Sequence, residues 1–443
     1  MISESFVKIF ITCYLLAISL AFFLSSYFNY RLTETISYYT NDGGCDPSAQ
    51  GIGNHCFGDF YYPISLVEES SPWSGSPNPY PALALAVYKP FHFLLDYLSA
   101  RTVLFMYLFL LITISVVTIT VMIKGNKFKN MEYTLVLLTT IGSAPIMSLI
   151  DRGNSVILLF PIIYFWMKSV RDRNLLHITT LSCLAACLRP QFMSLCLILL
   201  FLGEVRVFLK SIFLSFIAIF ISFLIFSVNP FVNFMQWVDQ IVRYQDYAQV
   251  GSVFPVNVSF GNSMALLFRA ISLQNSEEII RIITYCLFVI FVWLFWRNRI
   301  ILTTSLKMNS VLIAPMFFVG TAFHYYLFIF GLIFVNYMIE SIQKTDKPEI
   351  QSKADFAYET ITRLLFLLVL IPWTLPWSIL PYLDASRGWP VIGVQWILVQ
   401  GIFLLFALVT FYVYPMINSR SSKRRVSIDN ATSGETPGYP RDF

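Results

Sequence analysis

Seven polar residues stand at the edges or inside long apolar runs, where such groups are rare: Asp59, Asp151, Arg152, Asn154, Arg189, Gln191 and His324. An ionisable side chain near hydrocarbon costs about 2.5–3.5 kcal/mol on insertion scales, so it persists where it faces water, a partner or a ligand. A guanidinium stays charged and its planar fork can bond two phosphate oxygens at once. A positioned carboxylate can take the proton of an attacking hydroxyl. Arg152 and Arg189 could therefore meet an anionic partner, with Asp59 and Asp151 as carboxylates on the same side of the chain.

Each residue also has a plainer reading. Gly58-Asp59-Phe60-Tyr61-Tyr62-Pro63 could hold a carboxylate between aromatic anchors, or Asp59 could be a solvated loop residue. Asp151-Arg152-Gly153-Asn154 could form a site or only a tight turn, which Asp, Gly and Asn favour for local reasons. Arg189-Pro190 could be a helix break with a snorkelling arginine, but Arg189 lies about a dozen residues from either end of its segment. That distance is long for snorkelling and favours a buried anionic partner. His324-Tyr325-Tyr326 between two apolar runs fits an interfacial aromatic belt as well as a ligand contact.

The elements that must carry these residues follow from composition. Of 443 residues 57% are hydrophobic and 12% charged, with a mean hydropathy of +0.67. Soluble domains carry about twice that charged fraction, so a soluble enzyme is excluded. The apolar residues form runs of roughly 17–23, each able to cross about 30 Å of hydrocarbon, and they do not alternate as barrel strands would. Backbone groups in such runs must bond internally, which predicts helices. The expectation is an all-α polytopic membrane protein. The net charge of +5 needs no nucleic acid, because cytoplasmic loops of membrane proteins are rich in Lys and Arg.

Spans are expected at 9–28, 102–123, 133–150, 155–167, 211–228, 279–296, 310–323, 326–339, 364–380 and 391–413. The first has no cleavage site after it and reads as retained. Residues 29–80 form a long polar loop, and 418–443 a basic, disordered tail. Two segments are broken: 81–97 by Lys89-Pro90 and 177–203 by Arg189-Pro190. If the first dips in without crossing and the second is a hairpin of two short helices, the basic clusters all fall on the cytoplasmic side. These are Lys124/Lys127/Lys129, Lys168/Arg171/Arg173, Arg206/Lys210, Arg297/Arg299/Lys307, Lys344/Lys347/Lys353/Arg363 and Arg420/Lys423/Arg424/Arg425, and with Lys8 and Arg441 they account for 21 of 30 Lys and Arg. Both termini are then cytoplasmic, and the seven polar residues face outward.

Five of the seven cysteines lie in apolar spans and read as packing residues. Cys45 and Cys56, in the outer loop, could be bridged or remain thiols. No CxxC or HExxH occurs and the four His are scattered, so no protein-built zinc site is expected.

The order of these motifs resembles the integral-membrane glycosyltransferases of family 87 in the GT-C superfamily, which includes polyprenyl-phosphate-mannose-dependent mannosyltransferases. The matching residues are Asp59-Phe60 with Tyr62, Tyr80-Pro81, Gly153-Asn154, Arg189-Pro190, Asn262-Ser263 with Arg269, and His324-Tyr325. The chain departs from the family at Tyr80-Pro81-Ala82, often Tyr-Pro-Pro, at Arg152-Gly153-Asn154, often Gly-Gln-Asn, and at Arg189, often Lys. These departures bear on the donor more than on the fold.

The resemblance implies a GT-C-type bundle of roughly 11–13 transmembrane helices over residues 1–417, with a large catalytic loop at 29–80. It implies an inverting transfer of a mannose-like hexose or pentose from a polyprenyl-monophosphate donor to a glycan or glycolipid acceptor. The site would face the outer, periplasmic side of the cytoplasmic (inner) membrane. Asp59 would be the general base. Arg152, Asn154, Arg189, His324 and Tyr325 would bind the donor, supported by Tyr62, Tyr80, Asp151 and Asn262. No cofactor follows, and a divalent metal is left open. Two rivals keep the membrane setting: a lipid-linked sugar transporter or flippase, which should show repeat symmetry, and a polysaccharide polymerase, which usually has its large loop late in the chain. Neither feature is present in the sequence.

Overall fold

The structure, a computed structural model, describes residues 57–69, 71–75, 78–124, 152–227, 229–250, 277–300 and 304–317 as stretches. Single positions are described at 12, 15, 19 and 302, between 133 and 150, and between 328 and 336. Asp151, Asn262, His324, Tyr325, Cys45 and Cys56 lie outside the described residues, as do the expected spans 364–380 and 391–413 and the tail 418–443.

The described residues are mostly helical, with no strand among them. Helices α1 (Gly58–Leu66), α2 (Ala82–Ala86) and α3 (Lys89–Leu94) are short; α4 (Ala100–Lys124) is the longest. A 3-10 turn, Ser155–Leu158, leads into α5 (Leu159–Arg171), and α6 (Leu175–Leu188) follows. A second 3-10 stretch, Pro190–Cys196, leads into α7 (Leu197–Phe201). Then come α8 (Val205–Ser222, prolonged as 3-10 helix over Phe223–Ile225), α9 (Pro230–Val250), α10 (Glu277–Arg297) and α11 (Thr304–Phe317).

Helix α4 is apolar on every side: Val103, Tyr107 and Leu111 are buried while Phe105 and Phe109 are exposed. It and the Val205–Ile225 helix are long and apolar enough, by length and composition, to cross a membrane. α2 and α3 have five and six residues, each too short to do so. Lys89 of α3 donates to the carbonyl of Ile225 at 2.8 Å, which fixes this broken segment at the C-terminal end of α8.

The second broken segment folds back on itself. The Ser215 hydroxyl of α8 lies 3.2 Å from Cys183 Sγ and 3.9 Å from Cys196 Sγ, so residues on either side of Arg189 are neighbours. In one continuous helix those two cysteines would be about 20 Å apart. The hairpin expected at 177–203 is therefore present, with Arg189 in its bend. Extended backbone at Arg189 (φ −152°, ψ 106°) is what a following proline demands. Thr179 meets Ser211 at 2.8 Å as Cys183 meets Ser215, so α6 and α8 run parallel.

Several elements differ from the sequence reading. α1 lies inside what was read as a continuous loop, and α9 was not expected at all. α9 buries polar and apolar side chains together: Asn233, Trp237 and Gln240 are buried, Phe234, Val238 and Ile241 pack against the core, and Phe231, Met235 and Val242 are exposed alongside the Asp239–Arg243 ion pair. Gln240 donates to the carbonyl of Trp73 at 3.1 Å and Trp237 to that of Pro79 at 3.3 Å, so the helix serves as a clamp for the chain leading to Tyr80. α8 and α11 each begin six residues earlier than expected, because Arg206, Lys210 and Lys307 were read as loop charges and belong to helices.

Candidate functional site

Asp59 is in the first turn of α1, where the helix begins abruptly. Phe57 takes a left-handed conformation (φ 52°) and its carbonyl accepts from the amides of Phe60 and Tyr61 at 2.8 and 2.9 Å. Phe60 is fully buried, its ring 5.0 Å from that of Tyr107 and 6.3 Å from that of Tyr88. This anchor sets the depth at which the neighbouring carboxylate lies.

The turn at 152–154 meets α1 from the other side. Gly153 N donates to the Ile150 carbonyl at 3.0 Å and Asn154 N to the Leu149 carbonyl at 2.9 Å, the paired bonds that close a helix on a left-handed residue. Gly153 fills that seat at φ 66°. A Cβ there would lie 2.8 Å from Phe60 Cβ, so glycine is needed both for the conformation and for the approach of α1. Asn154 then caps the next turn, its Oδ1 accepting from Val156 N at 2.9 Å.

These two pieces deliver a shared node. Asp59 Oδ2 accepts from Arg152 Nε at 2.6 Å and from Asn154 Nδ2 at 2.8 Å, and Oδ1 accepts from Tyr80 Oη at 3.0 Å. Arg189 Nη2 donates to Asn154 Oδ1 at 3.3 Å, and its guanidinium lies 4.6 Å from the centre of the Tyr80 ring. Asn154 thus bridges the carboxylate and the second cation. Arg189 is only 8% exposed, and the Asp59 and Arg152 side chains 16% and 13%.

Burial pushes the Asp59 carboxyl upward, but the Arg152 charge and the bonds from Arg152, Asn154 and Tyr80 outweigh it and hold the group below its ordinary value. The carboxylate is ionised at neutral pH. Among the described residues the node sets two guanidiniums beside one carboxylate. Chemically, it places donors suited to an oxyanion next to an ionised base.

Of the residues singled out from sequence, Asp59, Tyr80, Arg152, Asn154 and Arg189 converge here. Tyr62, one turn along α1, is exposed. Asp151, Asn262, His324 and Tyr325 fall outside the described residues, so the node stands without them. Sequence reading missed Tyr88, whose buried hydroxyl accepts from Ser155 N at 3.1 Å and donates to the Gly153 carbonyl at 3.4 Å, bracketing Asn154. A tyrosine in an apolar segment gives no signal beyond its hydroxyl, which needs a partner when buried. Among the described residues no three His, Cys, Asp or Glu side chains gather as metal ligands.

No protein-family model matches the chain, and no curated protein or solved structure matches it either.

Proposed function

We propose that the chain is a polytopic membrane glycosyltransferase that moves a sugar from a polyprenyl monophosphate to a hydroxyl of a glycan or glycolipid, with inversion, on the outer face of the cytoplasmic membrane. The observation that carries the reading is the Asp59–Arg152–Asn154–Arg189 node, in which one ionised carboxylate is hydrogen-bonded, directly and through Asn154, to two guanidiniums. The aliphatic surface of α4 and α8 offers what a polyprenyl chain and the bilayer both need.

In this mechanism the acceptor oxygen attacks the anomeric carbon from the face opposite the phosphate, and its proton passes to Asp59. The bond between the anomeric carbon and the phosphate oxygen breaks, and polyprenyl phosphate leaves with the electron pair. Arg152 and Arg189 balance the charge gathering on that oxygen. Asn154 keeps base and cation in register. In the free enzyme Arg152 restrains the basicity of Asp59; a bound phosphate competes for that guanidinium and raises it.

The test is incubation of the purified full-length protein with a panel of polyprenyl-phosphate sugars and an acceptor mixture, following release of polyprenyl phosphate. Release that depends on Asp59 supports the transfer. Binding of donors without cleavage, across the panel, sinks it in favour of a transport or carrier role.

A further inference from the structure

We infer that Tyr88 is a positioning residue of the node: its hydroxyl holds the Gly153–Ser155 backbone so that one side chain, Asn154, meets the Asp59 carboxylate and the Arg189 guanidinium at once. The inference deepens the proposed sugar transfer and rests on it, because it names what keeps base and cation aligned. Tyr88 acts through Asn154 and not on the reacting groups.

The Tyr88 hydroxyl accepts from Ser155 N at 3.1 Å and donates to the Gly153 carbonyl at 3.4 Å, so it closes on the residue before Asn154 and the residue after it. Tyr88, Asn154 and Ser155 are all buried. Ser155 N opens a 3-10 turn, and an amide in that place finds no partner within its own helix. The tyrosine oxygen supplies one. The Asn154 side chain is engaged at both of its ends: Oδ1 accepts from Val156 N at 2.9 Å and from Arg189 Nη2 at 3.3 Å, and Nδ2 donates to Asp59 Oδ2 at 2.8 Å. A short side chain bonded at both ends has no slack, so its aim depends on the backbone that carries it.

Tyr88 is itself held firmly where α2 meets α3. Its amide donates to the Leu85 carbonyl and its carbonyl accepts from His92 N, both at 2.9 Å, while the next residue, Lys89, is fastened to the Ile225 carbonyl. Its ring lies 6.3 Å from that of Phe60 and 5.5 Å from that of Tyr107, centre to centre. Phe60 follows Asp59 in α1. One residue therefore bears on both halves of the node, with its ring against the anchor beside the base and its hydroxyl against the turn that carries Asn154. Phenylalanine would supply the ring contacts as well. A hydroxyl at this depth costs free energy unless it is bonded, and its bonds here go to the turn that carries Asn154.

The experiment is a double-mutant cycle in the full-length protein with Tyr88→Phe and Asn154→Ala, read by donor-cleavage kinetics across pH. Tyr88→Phe should lower kcat by about ten- to a hundredfold, the cost of a small misplacement, with the donor KM within about threefold of the parent's. A poorly aimed Asn154 stabilises the carboxylate less, so the acid limb of kcat/KM should move to higher pH. Arg152 and Tyr80, the other groups bonded to that carboxylate, are untouched. In the Asn154→Ala background Tyr88→Phe should change neither quantity, because nothing is left for it to aim. A residue that only packs would cost the same in both backgrounds and leave the acid limb in place, and either result overturns the assignment. Should Tyr88→Phe fail to fold, para-aminophenylalanine at position 88 takes its place. It keeps a donor for the Gly153 carbonyl and offers Ser155 N a poorer acceptor, so the limb should move the same way; a parental limb overturns the inference. A parent that cleaves no donor sinks the sugar transfer and not the positioning role, which is then read from thermal unfolding against pH. The acid loss of stability should begin at a higher pH in Tyr88→Phe than in the parent, and an unchanged onset overturns the role.

Discussion

The carboxylate of Asp59 and the guanidinium of Arg152 meet at 2.6 Å although 93 positions separate them in the chain. Neither is exposed enough for water to replace the other, so the pair ties α1 to the turn that opens α5. The same contact keeps Asp59 ionised, and under the proposed transfer it restrains Asp59 as a base until the donor phosphate draws Arg152 away.

Asp59→Asn keeps the shape and an acceptor oxygen but loses the charge and the ability to take a proton. Turnover should fall by about 100- to 10,000-fold. Donor binding should stay within a few fold of the parent, because Arg152 becomes freer to meet phosphate. The leftover cation should cost about 1–3 kcal/mol of stability. Equal losses in donor binding and turnover, read by isothermal titration and a donor-cleavage assay, would return Asp59 to a structural role.

The depressed pKa of Asp59 fixes the sign of a pH effect. A group held below its ordinary value of 3.8 in the folded protein contributes stability that is complete above that value and is lost as pH falls through the folded value. Its contribution should therefore be constant between about pH 5 and 8 and disappear only in stronger acid. Thermal unfolding of the parent and of Asp59→Asn across that range should give parallel curves that converge below about pH 4. Convergence already at pH 6 would mean that the carboxyl is raised, not lowered.

Gly153→Ala tests the geometry that brings the two pieces together. The new methyl would meet Phe60 at 2.8 Å on a backbone at φ 66°. A loss of about 1–3 kcal/mol is expected. Because the displaced α1 carries Asp59, turnover in the folded fraction should fall too. Thermal unfolding reads the first loss and a donor-cleavage assay on the folded fraction the second; a Gly153→Ala protein with parental stability and turnover would show that α1 does not need this close approach.

The positions of these residues explain what could be read from sequence. Asp59, Arg152, Asn154 and Arg189 were visible because polar groups beside apolar runs demand a reason, and Tyr80 because Tyr-Pro marks the chain's return to an apolar run. Tyr88 and the Gly153–Phe60 contact were not, since a buried aromatic and a turn glycine look like packing until their neighbours are known. α9 escaped because polar and apolar residues mix on both of its sides: Asn233 and Gln240 are buried beside Trp237, and Phe231, Met235 and Val242 lie outward beside Asp239 and Arg243, so no long apolar run marks it. Lys307 escaped for the opposite reason: a charge next to an apolar run was read as the end of a span, and it is buried inside a helix.

The membrane orientation has its own measurement. Cysteine substituted at Tyr61, which is exposed one residue from the buried Phe60, should react with an impermeant maleimide from outside intact cells. In the proposed orientation, where the basic clusters lie on the cytoplasmic side, cysteine at Arg173 should react only after permeabilisation. Labelling of both from outside would break the arrangement that sets the two ends apart.

Tyr80→Phe separates the two things Tyr80 does. The ring that lies against Arg189 is retained, while the hydroxyl that donates to Asp59 Oδ1 at 3.0 Å is removed. Loss of a donor to the charged form raises a carboxyl pKa, so the acid limb of the kcat/KM profile should move toward higher pH. Stability should drop by about 0.5–1.5 kcal/mol, the net worth of one hydrogen bond. At neutral pH Asp59 is ionised with or without this bond and turnover should remain close to the parent's. Tyr80→Leu removes the ring as well and should add a loss of donor affinity, since Arg189 no longer has a face to rest on. An acid limb that stays in place in Tyr80→Phe, in a protein that cleaves donor normally, would show that the base governing the profile is a group other than Asp59.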